Sequence, residues 1–286
     1  MDNKFVFLII SCIVFSCSAN NNTKSKADIL IDSLFSSTFQ QKYQYNAVDD
    51  ILKLIQKESA YIKDHSRLIE FMENNERYGV LAMPYLVYMK SSNLLESIAN
   101  NRHKITREFC GALDWTTDIT DSTTHHFYIS QIIDRLLPVI DKIQDEWIRG
   151  DFYRVIRRVG NFKQVNDLIA NLGAETNRGA RAELLGALLR FSDEGIEGVF
   201  NSHLKKGIDQ WTLDYVLESG FQRFNRHDFL PLLYSLQTEL ENETDVRKIE
   251  DAKRTLERLN EVIPYLEQKK AEGVKPGLPL DWGVVD

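Results

Sequence analysis

The chain has 286 residues, 43% of them apolar and 27% charged, an ordinary balance for a folded protein. A formal net charge of −7 excludes a nucleic-acid binder, which needs a dominant basic surface. Six prolines and fourteen glycines are too few for a turn-rich β-sandwich.

The first residues, MDNKFVFLIISCIVFSC, are set apart from the rest. Lys4 precedes an uncharged apolar run from Phe5 to Phe15, shorter than the roughly 20 residues that span a bilayer and of the size of a secretory signal core. The run ends at Val14-Phe15-Ser16-Cys17, which resembles the lipobox of bacterial lipoproteins. The resemblance implies a signal peptide over 1–16 and lipidation of Cys17 as the mature N-terminus. Phe15 is bulkier than the usual residue there, and Asp2 weakens the positive start; a plain cleaved secretion signal is the competing reading. Residues 17–26, rich in Ser and Asn, have nothing to bury and suit a flexible tether. They lack the acidic run that some bacteria place after the lipidated cysteine for surface export, so the expected location is lipid-anchored to the outer membrane and facing the periplasm.

The domain proper is expected over 27–270, one large unit or two small ones. With Cys12 and Cys17 in the signal, Cys110 stands alone, and no internal disulfide is expected. Leu30, Leu34 and Phe35 open the helical spacing. Asn46 is expected to cap a helix carrying Ile51, Leu52, Leu54 and Ile55, with Leu68, Ile69 and Met72 continuing the pattern after His65. The apolar run RYGVLAMPYLVYMK reads as helix because Pro84 disfavours a central strand. Asn93 and Glu96 have capping-box spacing. Asp114–Thr124 (DWTTDITDSTT) reads as a loop, since Ser, Thr and Asp compete for backbone hydrogen bonds.

From His126 to Val159 a helix, a turn at Arg149-Gly150-Asp151 and a second helix are expected. Asn161 and Gln164 then pair as caps, and Gly173 stops that helix. Ala180–Phe191 is a small-residue helix suited to close packing. Ser192, Asp209 and Asn225 are expected to cap three more, and Thr244–Lys270 closes the helical part. The tail 271–286 holds two prolines and Trp282; it either docks onto a partner or folds back over the last helices.

The expected class is therefore all-α, either a solenoid of helical hairpins or a compact multi-helix bundle. Four prolines share one apolar setting, at Pro84, Pro138, Pro231 and Pro264, which resembles the bent first helix of HEAT-type repeats. That resemblance covers about residues 46–270, implies architecture alone and brings no catalytic residue. The spacings are unequal, so there is no strict period.

Two stretches are candidates for chemistry. Asp114, Asp118, Asp121 and His125 follow each other by four, three and four, one face of a helix, and carboxylates with an imidazole suit a divalent metal. The threonines argue against such a helix, and the spacing is not that of a calcium loop. Arg154, Arg157 and Arg158 lie on one helical face, with Arg178 and Arg181 beyond; stacked repeats would align them into a patch for an acidic partner. The competing reading pairs them with Asp141, Asp145, Glu146 and Asp151. No nucleophile elbow, phosphate loop, His-Glu-x-x-His or Cys-x-x-Cys occurs. The expectation is a membrane-anchored envelope lipoprotein without cofactor that presents a helical-repeat surface to an unknown protein partner, an immunity-type inhibitor being one variant. The alternative is a metal-dependent hydrolase or ligand-binding protein using Asp114–His126.

Overall fold

A computed structural model describes residues 25–35, 45–58, 62, 64–75, 78–100, 105–119, 123–140, 142–160, 164–191, 194–205 and 209–277. The signal, Cys17 and most of the tether lie outside these residues, as do Asn161, Ser192 and Trp282. Among the described residues all regular structure is helical, as expected, and no helix is long and apolar enough to cross a membrane. The chain divides into two compact units, Met1–Asn101 with Asp118–Thr120, and Arg102–Thr117 with Asp121–Asp286.

The first unit holds α1 (Lys26–Leu34), α2 (Tyr45–Lys57), α3 (Ser66–Asn74), α4 (Ala82–Tyr88) and α5 (Ser92–Asn100). Helices two apart in sequence pack together: α1 on α3, α3 on α5, and α2 on α4. Val48, Leu52, Ile55, Leu68, Phe71, Leu86 and Leu94 are buried between them. The Tyr85 hydroxyl donates to Asp49 at 2.6 Å, tying α4 to α2. Gly79 has no substitute in the turn before α4, because a Cβ there would sit 2.4 Å from the Met72 carbonyl oxygen. Ser25 caps α1 in a capping box with Asp28, so the helix begins inside the expected tether. The cap of α5 is Ser91, whose hydroxyl accepts from the Leu94 amide at 3.2 Å. The expected cap, Asn93, is already helical and instead accepts from the His65 amide.

The second unit holds α6 (Arg107–Ile119, all but its last two residues), α7 (Thr123–Ile140), α8 (Glu146–Val159), α9 (Val165–Ala174), α10 (Arg178–Leu188), α11 (Glu194–Lys205), α12 (Gln210–Val216), α13 (Leu230–Glu241) and α14 (Val246–Ala271). Alternate helices again form a row. Between α6 and α8, Arg107 meets Trp147 near their starts and Asp114 meets Arg154 and Arg158 further along. From α8 to α10, Gly150 faces Ala180, Arg154 meets Glu183, and Arg157 faces Gly186. Arg178 meets Trp211 and Glu183 meets Tyr215 between α10 and α12; Asp214 meets Thr255 and Glu218 meets Arg258 between α12 and α14. Contacts in the same order mean parallel helices, so each intervening helix returns the chain to the starting end, as in stacked hairpins.

Local chemistry fixes the ends. The α12 helix widens into a π-turn over Leu217–Gln222, which ends at Asn225 in the left-handed conformation (φ 51°). The Arg226 amide bonds back to the Phe221 carbonyl and the Asn225 amide to that of Gln222, a Schellman stop. Asn225 thus ends one helix rather than capping the next. Gly273 ends α14 in the same way, and residues beyond it return to the Asn225 turn: the Gly277 amide donates to the Phe224 carbonyl at 2.8 Å. The described part of the tail ends there, at Gly277.

Two other expectations are corrected. The break in the central hairpin lies at 142–145, where Asp145 accepts from the Trp147 and Ile148 amides, and not at Arg149-Gly150-Asp151. Gly150 is buried within α8, facing Ala180 of α10. Asp114–Ile119 is helical rather than loop. The Thr116 and Thr117 hydroxyls satisfy themselves on the Ala112 and Asp114 carbonyls, both at 2.6 Å, and their side chains are buried. The four prolines take unlike places: Pro84 and Pro231 lie near helix starts, Pro138 and Pro264 inside α7 and α14.

Candidate functional site

The row α6–α8–α10–α12 carries a polar ladder that the arginine spacing on α8 foreshadowed. Arg158 donates to the Thr117 hydroxyl at 3.1 Å and the Asp114 carbonyl at 3.2 Å, with its Nε 3.4 Å from the Asp114 carboxylate. Arg154 bonds Glu183 and Asp151, each at 3.0 Å. Glu183 also accepts from the Tyr215 hydroxyl at 2.6 Å and lies 3.4 Å from Arg157. Arg157, only 5% exposed, in turn donates to the Tyr215 oxygen at 3.1 Å. Burial opposes the charge on Arg154, but Glu183, Asp114 and Asp151 outweigh it and hold its pKa above the usual arginine range.

These three arginines are thus committed within the fold. Among the described residues their carboxylate partners include Asp114, Asp151 and Glu183, of which Asp151 is one of those proposed from the sequence. Arg157 and Arg158 are turned inward on these partners, whereas the Arg154 side chain remains 35% exposed beside its own. Arg178 is different, with its guanidinium 4.8 Å above the Trp211 ring and 62% of its side chain exposed. Arg181 is half-buried on α10.

Of the four metal candidates, the structure describes the side chains of Asp114 and His125, which lie on different helices. Asp114 lies on α6 facing Arg154 and Arg158, whereas His125 is in the first turn of α7. Asp118 is in the last turn of α6, and its side chain, like all of Asp121, lies outside the described residues. Among the described residues no group of three or more His, Cys, Asp or Glu is placed to hold a metal ion. Cys110 is fully buried, and burial first, then the charges of Asp151 and Asp114, raises its pKa far above that of a reactive thiol.

The edge where the parallel helices begin has a different character. Arg107, the first residue of α6, lies 5.0 Å above the ring of Trp147, the second residue of α8. Arg178, first in α10, lies over Trp211, second in α12, which also stacks on Tyr215 with the rings 14° apart. Trp147 is 60% exposed and Trp211 45%.

Between these pairs opens a polar cleft of about 440 Å³, bounded by the start of α8, the end of α9 and the turn into α10. Arg149 forms its wall in a two-pronged bond with Glu175 (2.7 and 2.8 Å) and also donates to the carbonyls of Ile143 and Gln144. The Glu175 bond holds the Arg149 pKa above its ordinary value.

Sequence reasoning passed over Glu183, Trp147, Trp211 and the Arg149–Glu175 pair. One signal was available: Glu183 is a lone carboxylate inside the small-residue helix Ala180–Phe191, where burial demands a cation. Comparison with protein-family models, curated proteins and solved structures finds no match.

Proposed function

We propose that this chain is a membrane-anchored bacterial lipoprotein that binds another protein in the cell envelope. The observation that carries the reading is the repeated arginine-on-tryptophan pair along one edge of the helical row, Arg107 with Trp147 and Arg178 with Trp211. Trp, Tyr and Arg are the residues that dominate interface energetics, and a cation held over a ring is a rigid, pre-ordered contact. The arginine ladder acts as the frame that spaces these pairs, and the Val14–Cys17 motif supplies the anchor. Inhibition of a periplasmic toxin, in the manner of immunity proteins, is one form such binding takes.

The test is affinity capture from envelope fractions with the lipidated chain, comparing the wild type with Trp147→Ala/Trp211→Ala. A partner retained by the wild type and lost by the variant supports the reading; equal retention overturns the edge as the binding surface. Labelling with radioactive palmitate tests the anchor separately, and persistence of label in Cys17→Ala rejects it.

A further inference from the structure

The cleft between the two arginine–tryptophan pairs has a donor and charge arrangement that neither the ladder nor the protein-binding edge uses. The Asn171 amide nitrogen is shielded from solvent on the cleft wall and makes no hydrogen bond. A buried donor left unmade is costly, and an acceptor that enters the cleft would satisfy it. The residue is only half-buried, so rotation of its terminal torsion turns the amide into the cleft without breaking a bond.

Arg149 offers a second donor. Of its five N–H groups, Glu175 takes one on Nε and one on Nη2, and the Ile143 and Gln144 carbonyls take those on Nη1. One Nη2 proton remains, on a guanidinium fixed in place.

Charge narrows the ligand. Glu175 neutralises Arg149, and the exposed Glu146 on the rim repels anions. Among the described lining residues the apolar surface comes from Ile143, Ala174 and the ring of Tyr153, which is itself 1% exposed, too little to hold an apolar ligand. Gln144 and Thr176 add uncharged polar groups on the rim. What fits is a neutral molecule dense in hydroxyl or amide oxygens.

We propose that this cleft binds a neutral saccharide of one or two rings. A ring hydroxyl or acetamido oxygen accepts from Asn171 and Arg149, and a hydroxyl donates to the Glu146 carboxylate. A peptide strand is disfavoured because its side chains find no apolar subsites. This inference stands apart from the protein-binding edge and does not need it.

The experiment titrates the full chain, ¹⁵N-labelled, with diacetylchitobiose, cellobiose and the uncharged peptide acetyl-Ala-Gly-Ala-amide, following the Asn171 side-chain amide and the Arg149 Nε–H by NMR. The expected result is a saturable shift of both signals by at least one disaccharide, with a Kd on the order of 1 mM. Asn171→Leu is expected to weaken it about tenfold or more. Thr176→Trp, at an exposed rim position, is expected to abolish binding by filling the cleft, with the folded spectrum retained. Trp147→Ala/Trp211→Ala is expected to leave it unchanged, which separates this site from the protein-binding edge. No saturable shift by either disaccharide overturns the proposal, as does equal binding of the peptide or undiminished binding by Thr176→Trp.

Discussion

Glu183 is the residue on which the polar ladder turns, and replacing it with leucine tests the frame directly. Its carboxylate is 8% exposed and serves Arg154, Arg157 and Tyr215 together. Arg154 survives the loss, because its side chain is 35% exposed and Asp151 remains 3.0 Å away. Arg157 does not: with 6% side-chain exposure it keeps only the Tyr215 hydroxyl. Removing one partner of a buried pair costs roughly 3–5 kcal/mol, and because Arg154 has other partners the lower end, about 3, is expected here. All four tryptophans lie between residues 115 and 282, so fluorescence reports on the second unit. In urea, a slope of about 2–3 kcal/mol/M places the midpoint of Glu183→Leu roughly 1–1.5 M below wild type. Glu183→Leu/Arg157→Met removes the stranded charge along with its partner and is expected to recover most of the loss, a coupling of about 2 kcal/mol. A Glu183→Leu midpoint within about 0.3 M of wild type, or a double variant as unstable as the sum of the singles, refutes the ladder as a structural frame.

Four further outcomes follow from the geometry. Gly150→Ala is expected to stabilise the second unit by up to about 1 kcal/mol, since the added Cβ meets Ala180 at an ordinary 3.7 Å. Gly220→Ala is expected to cost about 1–3 kcal/mol, because its Cβ would lie 2.5 Å from the buried Leu189 side chain; urea midpoints of opposite sign check the pair. Arg226→Lys is expected to cost about 3 kcal/mol by the same assay. The buried fork that holds Asp228 and the carbonyls of Leu189 and Phe191 has no equivalent in an ammonium group. In the first unit, burial lowers the His65 pKa below its ordinary value, against a smaller opposing pull from Asp64. The unfolded chain therefore takes up the proton first, so stability is full above about pH 6.5 and falls as the pH drops from there through the folded pKa. Hydrogen exchange at the Leu68 and Ile69 amides, which bond to the His65 carbonyl, is expected to quicken in that window, and His65→Leu to remove the dependence.

Periodicity made the helices legible, because a buried stripe repeats every 3.6 residues whatever its neighbours are. It also placed Arg154, Arg157 and Arg158 on one face. What faced them was not legible, since Asp114 lies on one neighbouring helix and Glu183 on another, and local sequence does not record which helices will be adjacent. Two of the local misreadings have the same root. Threonines favour loops when exposed, but Thr116 and Thr117 are buried and bond back to their own helix. Gly150 looks like a turn until Ala180 is found opposite it. In both cases tertiary packing overrode a sound local preference.

The distribution of arginines gives the helical row its polarity. At the ends of the parallel helices, Arg190 donates to the Arg157 and Gly160 carbonyls where α8 stops, and Arg226 does the same for α10 through Leu189 and Phe191. Each is supplied from just beyond the next helix of the row, so the carbonyl ends of α8 and α10 are closed by the hairpin that follows them. Burial first, and Arg223 second, lowers the Arg190 pKa to about 10, still charged at neutral pH and so still a strong donor. That edge is spent on holding the row together. At the opposite edge, where the same helices begin, the caps come from Asp145, Asn177 and Asp209, which leaves Arg107 and Arg178 to lie over tryptophans facing solvent. One residue type thus seals one edge and equips the other. Unequal repeat lengths do not disturb this, because the intervening helices α7, α9 and α11 absorb the differences while the arginine contacts keep the register.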